Sequence, residues 1–85
     1  MPTVYRQNGF RIAFYSNEHP SPHVHVFRAE GELVFELGSE SEEPWLDRVL
    51  SPMNPNEVRQ ARAIVKEQHK YLLKEWRKIH GHEEV

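Results

Sequence analysis

Histidine is the residue type that stands out in this sequence. The chain has six histidines among 85 residues, and three of them, His19, His23 and His25, fall within seven positions. His23 and His25 are two residues apart, so on a β-strand both imidazoles emerge from the same face of the sheet. Neighbouring imidazoles can exchange protons near neutral pH or can ligate a divalent metal, and the spacing alone leaves both chemistries open.

The first chemistry is general acid–base catalysis at an RNA phosphodiester. One imidazole would act as the base and the other as the acid, and an arginine would stabilise the charged transition state. No metal is needed for such a ribonuclease. Whether the protein is an enzyme is open, and if it is, this interpretation predicts the catalytic residues His23, His25, Arg11 and Arg28.

The second chemistry is metal binding. His23 and His25, with His19 from the preceding loop or Glu30 from the following turn, supply three or four nitrogen and oxygen ligands. A divalent ion such as zinc accepts this set, and the absence of cysteine means that each ligand must be a histidine or a carboxylate. A third interpretation is that the histidines are solvent-facing strand residues without chemistry, so no cofactor is certain.

The elements that must position these histidines are strands in the first half of the chain. Residues 10–15 alternate apolar and mixed side chains with a period of two, and residues 23–28 continue that pattern. Glu30-Gly31 predicts the turn of a hairpin that returns over residues 32–37. With a short strand near residues 3–5, the segment 1–37 becomes a small antiparallel sheet of about three to five strands.

The alternation also divides the side chains between two faces. Val24 and Val26 would join the apolar residues of the preceding strand under a helix, which leaves His23 and His25 on the other face. Four further residues could share that second face: Arg11, Tyr15, Glu32 and Glu36.

The second half of the sequence predicts a connector and a helix. Residues 38–53 form an acidic connector rich in Gly, Ser, Glu and Pro. Asn54-Pro55 with an acid at Glu57 is a helix-start signal, and apolar residues at steps of three and four predict one long helix over 54–80, with a tail at 81–85. One long C-terminal helix packed on a small sheet is a single α+β domain. His69, at the margin of the apolar stripe, is interpreted as a partly buried histidine hydrogen-bonded to the sheet.

Charge is distributed unevenly along the chain. The formal net charge is −2, but residues 30–47 contain seven acids and no base, while residues 57–80 contain seven bases and three acids. A domain polarised in this way could attract an anionic partner to one surface and a cationic partner to another. The net charge therefore does not exclude RNA as a partner.

The N-terminus does not have the charged-then-apolar pattern of a signal peptide. No apolar run approaches the roughly 20 residues that span a bilayer, so the sequence predicts no membrane contact. Together with the absence of cysteine, this favours a soluble cytoplasmic protein. A homodimer is one option that the sequence leaves open.

Motifs along nearly the whole chain carry a resemblance to a known family. The first 19 residues, the Pro-His-Val-His-Val strand and the helix that ends His-Lys-Tyr-Leu-Leu-Lys-Glu-Trp resemble the bacterial domain-of-unknown-function family 4160. The family signature is matched here by His19, Pro22, His23, His25, His69 and Trp76. Members usually have a Pro-Pro pair before the second histidine, where this chain has Ser21-Pro22.

The resemblance implies a biological setting more than a chemistry. Family members tend to be encoded beside another small protein in arrangements that look like toxin–antitoxin modules, which implies a small cognate partner protein encoded nearby. The expected function is therefore that of one component of such a two-protein module, whose histidine face acts on or binds RNA. The alternative is a non-catalytic module that binds a metal or a partner protein through the same face.

Overall fold

The computed structural model describes residues 3–15 and 21–80, with residue 80 described through its backbone alone. Five antiparallel strands form one sheet, in which each strand pairs with the next one along the chain. The elements are β1 (Thr3–Gln7), β2 (Phe10–Ala13), β3 (His23–Arg28), β4 (Gly31–Glu36), β5 (Trp45–Ser51), α1 (Pro55–Glu67) and α2 (His69–His80). The predicted α+β class is confirmed.

One side of the sheet packs against both helices. In the register of the central strands, Val24 pairs with Phe35, and Val26 pairs with both Leu33 and Ile12, so apolar side chains from β2, β3 and β4 meet on this side. We call it the core side. Fourteen buried residues form its core: Phe10, Ile12, Phe14, Val24, Val26, Leu33, Phe35, Leu37, Ala61, Ile64, Val65, Leu72, Leu73 and Trp76.

The turn between β3 and β4 lies one residue earlier than predicted. Arg28 pairs with Gly31, so the turn residues are Ala29 and Glu30, and Gly31 is the first residue of β4. Ala29 has a positive φ of 51°, a conformation that two-residue hairpin turns require and that costs a residue with a Cβ some strain. Gly31 is needed for a different reason, because a Cβ there would lie 2.9 Å from the carbonyl oxygen of Pro52.

The prediction of one long helix is wrong, because the structure has two. α1 ends at Glu67, Gln68 takes φ −98° and ψ 17°, and α2 begins at His69. The buried residues explain the break. Ile64 and Leu73 are both buried although they are nine residues apart, which is about two and a half turns and places them on opposite sides of a continuous helix. The interruption at Gln68 allows both to reach the core.

The predicted helix start is confirmed by a reciprocal capping box. The Asn54 side-chain oxygen accepts the backbone N–H of Glu57 at 2.8 Å, and a Glu57 carboxylate oxygen accepts the backbone N–H of Asn54 at 3.0 Å. These two bonds satisfy amide groups that would otherwise have no partner in the first turn. Within the described residues, neither helix combines the length and the apolarity that crossing a membrane requires.

β5 lies inside the segment 38–53 that the sequence assigned to a connector. Its pairing with β4 shifts register at two points, and most of its residues are exposed, including Trp45, Val49 and Leu50. As the last strand in the sheet order, β5 has a neighbour on one edge within the described residues. An irregular, exposed strand at a sheet edge lacks the alternation by which strands are recognised in sequence.

Candidate functional site

His23 and His25 lie side by side on β3, as predicted. The alternation that sends Val24 and Val26 to the core side sends the two histidines and Phe27 to the opposite side, which we call the histidine side. The ring centroids of His23 and His25 are 5.5 Å apart, with an angle of 64° between the planes. Both residues are buried, with exposed fractions of 9% and 2%, so the interpretation of them as solvent-facing residues is wrong.

The His25 ring is held by contacts from three directions. Its Nδ1 lies 2.9 Å from a carboxylate oxygen of Glu32 on β4. The ring of Tyr15 meets it edge-on, with centroids 4.3 Å apart, and Phe27 stacks nearly parallel at 6.3 Å. Because a carboxylate accepts, the His25 Nδ1–H donates this bond. The arrangement fixes both the orientation of the imidazole and its tautomer.

The His23 ring is fixed through the same nitrogen. Its Nδ1 lies 2.8 Å from the backbone carbonyl oxygen of Ser21. A carbonyl oxygen can only accept, so Nδ1 of His23 carries the proton. In their neutral forms both rings therefore have the lone pair on Nε2, which is the atom that can take up a proton or ligate a metal.

Arg11 lies on the histidine side, at the end that is farther from His23. Its guanidinium carbon lies 4.4 Å from the centroid of the Phe27 ring, and it donates a hydrogen bond to the Thr3 hydroxyl at 3.1 Å. Arg11 pairs with Phe27 in the sheet, four residues and about 13 Å along the strand from His23. The cation is therefore nearer to His25 than to His23.

The structure does not bring Arg28 to the histidines. Its guanidinium lies 5.0 Å from the Phe10 ring on the core side, donates to a Glu57 carboxylate oxygen at 3.3 Å and donates to the backbone carbonyl of Asn8. Because Glu57 also caps α1, Arg28 links the β1–β2 turn to the start of that helix. These contacts describe a structural residue at the edge of the core.

The predicted metal ligands are only partly brought together. Glu30 is exposed in the β3–β4 turn, at the opposite end of the hairpin from His23, which pairs with Glu36. His19 lies outside the described residues. Within residues 3–15 and 21–80, no group of three histidine, aspartate or glutamate side chains is arranged to hold a metal ion. The described part of the chain therefore supplies two of the predicted ligands together, His23 and His25.

His69 has the structural role that its position predicted. It is buried on the core side at the first residue of α2, and its Nε2 donates to the backbone carbonyl of Leu37 at 2.6 Å. The N–H of Leu37 in turn donates to the carbonyl of Pro22, at 2.9 Å. This chain of hydrogen bonds joins the break between the helices to the residue that precedes β3.

Two contact residues were placed on the correct face by the sequence but were given no role there. Glu32 and Tyr15 make the polar and aromatic contacts of His25. The signal for Glu32 is the hairpin register, because the β3–β4 pairing sets Glu32 opposite Phe27, diagonal to His25. Tyr15 follows β2 by two residues, and its ring contact with His25 depends on the side-chain rotamer, which no sequence pattern specifies.

The fold and the histidine pair define a class of protein. It is a small α+β domain in which two helices cover one side of an antiparallel sheet and a buried, hydrogen-bonded histidine pair lies on the other side.

Within this class, residues 9–77 match the family described as Domain of unknown function (DUF4160), and the chain belongs to that family. The match includes both histidines, Glu32 and His69. No curated protein and no solved structure gives a significant match.

Proposed function

We propose that the protein is one component of a toxin–antitoxin-like two-protein module, and that its histidine side binds RNA and acts on it. The observation that carries the proposal is the paired geometry of the imidazoles. His23 and His25 are 5.5 Å apart, and each has its Nδ1 fixed by an acceptor, Ser21 for the first and Glu32 for the second. Two imidazoles with their Nε2 atoms defined as the basic positions are the minimum that metal-independent acid–base chemistry requires.

The chemistry follows from the environment of each ring. His23 acts as the base, and its Nε2 removes the proton of a ribose 2′-hydroxyl, whose oxygen attacks the adjacent phosphorus. The bond from phosphorus to the 5′-oxygen breaks, and Nε2–H of His25 supplies the proton to that leaving oxygen. His25 is assigned the acid role because its ring donates to a carboxylate, that of Glu32, whereas the His23 ring donates to a neutral backbone carbonyl. The products are a 2′,3′-cyclic phosphate and a free 5′-hydroxyl.

Burial determines how RNA reaches the pair. His23 keeps 9% of its surface exposed and His25 keeps 2%, so RNA approaches from the His23 end. Arg11, about 13 Å along the strand from His23, then contacts a different phosphate of the same RNA and contributes to binding. Arg28 has no part in this proposal, because its contacts lie on the core side.

The test combines growth and RNA cleavage. Expression of the protein without its cognate partner is expected to arrest growth, and His23→Gln is expected to abolish the arrest. His82→Gln is the matched control, because it makes the same substitution outside residues 9–77, the part of the chain that matches the family. The purified wild-type protein is expected to cleave single-stranded RNA in the presence of EDTA. The cleavage rate of His23→Gln should be at least about 100-fold lower. If the protein neither arrests growth nor cleaves RNA, catalysis is excluded.

A second candidate, metal binding, is favoured by one specific observation. Histidines that ligate metals almost always donate their other ring N–H to a carboxylate or a backbone carbonyl, and His25 and His23 make one bond of each kind. A third ligand would have to come from outside the described residues, and His19 is the predicted one.

Elemental analysis separates this candidate from acid–base catalysis. Protein purified without a histidine tag should contain about one zinc per chain if the second candidate is correct, and His19→Gln should lower that content. A content far below one per chain would exclude it. RNA cleavage that persists in EDTA would favour the acid–base proposal.

A further inference from the structure

The outer face of the helices carries a row of cations that the histidine side does not use. The members of this row are exposed, follow one another at steps of three or four residues and continue past the break at Gln68: Arg59, Arg62, Lys66, Lys70, Lys74 and Arg77. Residues at such steps are neighbours on a helix surface. We call this set the helix cation row; at a rise of about 1.5 Å per residue it runs for about 10 Å along α1 (residues 59–66) and about 10 Å along α2 (residues 70–77).

The acidic connector neutralises only part of the helix cation row. Glu43 lies 3.7 Å from Lys66, and Glu40 lies 3.3 Å from Arg77. Exposed ion pairs of this kind contribute little to stability, so a stronger anionic ligand can replace them. The other cations of the row, among them Arg62, Lys70 and Lys74, form no ion pair with a carboxylate of the described part of the chain.

The residues between these cations indicate which kind of ligand fits. The exposed positions interleaved with the row along α1 are Gln60, Ala63 and Glu67, none of which is a large apolar side chain. Tyr71 is exposed on α2, but its hydroxyl donates to the carbonyl of Val4, which ties it to β1. Protein interfaces are centred on aromatic or aliphatic anchors and are depleted in lysine. A row of separate cations without such anchors fits a polymer with regularly spaced negative charges.

We propose that the helix cation row binds the phosphate backbone of single-stranded RNA. The choice of RNA as the polyanion rests on the proposed function. The choice of the helix cation row as the binding surface does not, because it follows from the exposed cations. The helices cover the core side of the sheet, so this surface lies on the opposite layer of the domain from His23 and His25. RNA contact is therefore carried by a second surface, which is electrostatic and independent of sequence.

The experiment compares two double variants with the same change in net charge. Lys70→Gln/Lys74→Gln removes two cations from the helix cation row, and Arg6→Gln/Arg48→Gln, the sheet variant, removes two exposed cations from the histidine side, where Arg6 pairs with Arg11 and Arg48 with Val34. Binding to a fluorescent oligouridylate of about 12 nucleotides is measured by anisotropy at several salt concentrations. Each phosphate contact contributes about 0.7 to the slope of log K against log salt, so the row variant should lose about 1.4 in slope and about 25-fold in affinity at 0.1 M salt. The sheet variant should lose clearly less affinity than the row variant, because the row supplies the larger share of the phosphate contacts.

The outcomes separate this proposal from the function of the histidine side. An equal or larger loss in the sheet variant would overturn it, because net charge or the histidine side would then explain binding without the row. It is also overturned if the wild-type protein does not bind the oligouridylate, or if it binds an oligoglutamate of equal length more tightly, which would indicate an acidic protein partner. If the row variant keeps its affinity and His23→Gln loses it, the row is excluded and the histidine side stands. If the row variant loses affinity and His23→Gln keeps it, the row is confirmed whether or not the histidines catalyse.

Discussion

The two sides of the sheet bury their residues by different means. On the core side, side chains of β2, β3 and β4 meet helical side chains, and the contacts are apolar. On the histidine side, His25, Ala13 and Val34 are as buried as the core, yet their neighbours include Glu32 and Arg11. Alternation along a strand therefore tells which residues share a side, but it does not tell whether a polar side is exposed to water.

Polar groups can be buried on the histidine side because they are paired. His23 and His25 each have an acceptor at Nδ1. Within residues 3–15 and 21–80, no buried side-chain nitrogen or oxygen lacks a hydrogen-bond partner. An unpaired buried polar group costs about 1–3 kcal/mol, which is a large part of the stability of a domain of this size. The core side depends on packing, whereas the histidine side depends on specific hydrogen bonds.

The largest effect expected from this comparison is the loss of an aromatic ring from the core side. Phe35→Ala removes a fully buried ring and should lower the free energy of unfolding by about 3–5 kcal/mol, measured by urea denaturation. Phe27→Ala, which removes a half-buried ring from the histidine side, is the matched variant and should cost about 1–2 kcal/mol. A cost for Phe27→Ala equal to that for Phe35→Ala would show that both sides depend on packing to the same extent.

A smaller effect should come from placing a hydroxyl on each side. Val24 on the core side and Val34 on the histidine side are both 0% exposed, so replacing either by threonine changes polarity at nearly constant shape. Val24→Thr should cost about 1–3 kcal/mol, because its hydroxyl meets apolar side chains alone. Val34→Thr should cost less, about 1 kcal/mol, because polar neighbours can accept the hydroxyl.

Val49→Thr is the control for this pair, because Val49 is 53% exposed on β5 and the change should stay within about 0.5 kcal/mol. Thermal or urea unfolding of the three variants gives the order directly. If Val34→Thr costs no more than Val49→Thr, water reaches the histidine side and the hydrogen bonds there do not depend on burial.

The same contrast explains which parts of the fold were predictable. Alternation along residues 10–15 and 23–28 correctly assigned side chains to the two sides, because period two is a direct consequence of strand geometry. The helix break was missed because the predicted apolar stripe did not include Ile64 and Leu73. These two residues lie on opposite sides of a continuous helix, so burying both requires an interruption between them. β5 was missed because Asp47 and Arg48 interrupt its apolar residues and its register shifts hide the period.

The sequence predicted that His23 and His25 lie side by side, but it also assigned Arg28 and Glu30 to the site and did not predict the cross-strand pairings. The expected turn at Glu30-Gly31 would set Glu36 opposite His25, whereas the turn at Ala29-Glu30 sets Glu36 opposite His23. A shift of one residue in the turn thus moves every cross-strand pair by two residues while leaving each side chain on the correct side. The partner of His25, Glu32, follows from the turn position, and turn position depends on the positive φ of Ala29, which its residue type does not favour.

The smallest expected effect tests the hydrogen bond that distinguishes the histidine side. Glu32→Gln keeps an oxygen that can accept from His25 but removes the charge, so it should lower the free energy of unfolding by about 1 kcal/mol. Glu36→Gln is the matched control on the same strand and the same side. Glu36 makes no side-chain hydrogen bond with the described residues, and its substitution should stay within about 0.5 kcal/mol.

NMR of the ring nitrogens shows which nitrogen of His25 carries the proton. Loss of a contact that only packs against the ring would not change this tautomer. In the wild-type protein the signals should report a proton on Nδ1, because the carboxylate accepts from that atom. Glu32→Gln should introduce the Nε2–H tautomer, since an amide can also present its N–H to the ring, whereas Glu36→Gln should leave the signals unchanged. If His25 keeps one tautomer in Glu32→Gln, packing by Tyr15 and Phe27 fixes the ring. Both sides of the sheet would then hold their buried residues by packing, although their amino-acid compositions differ.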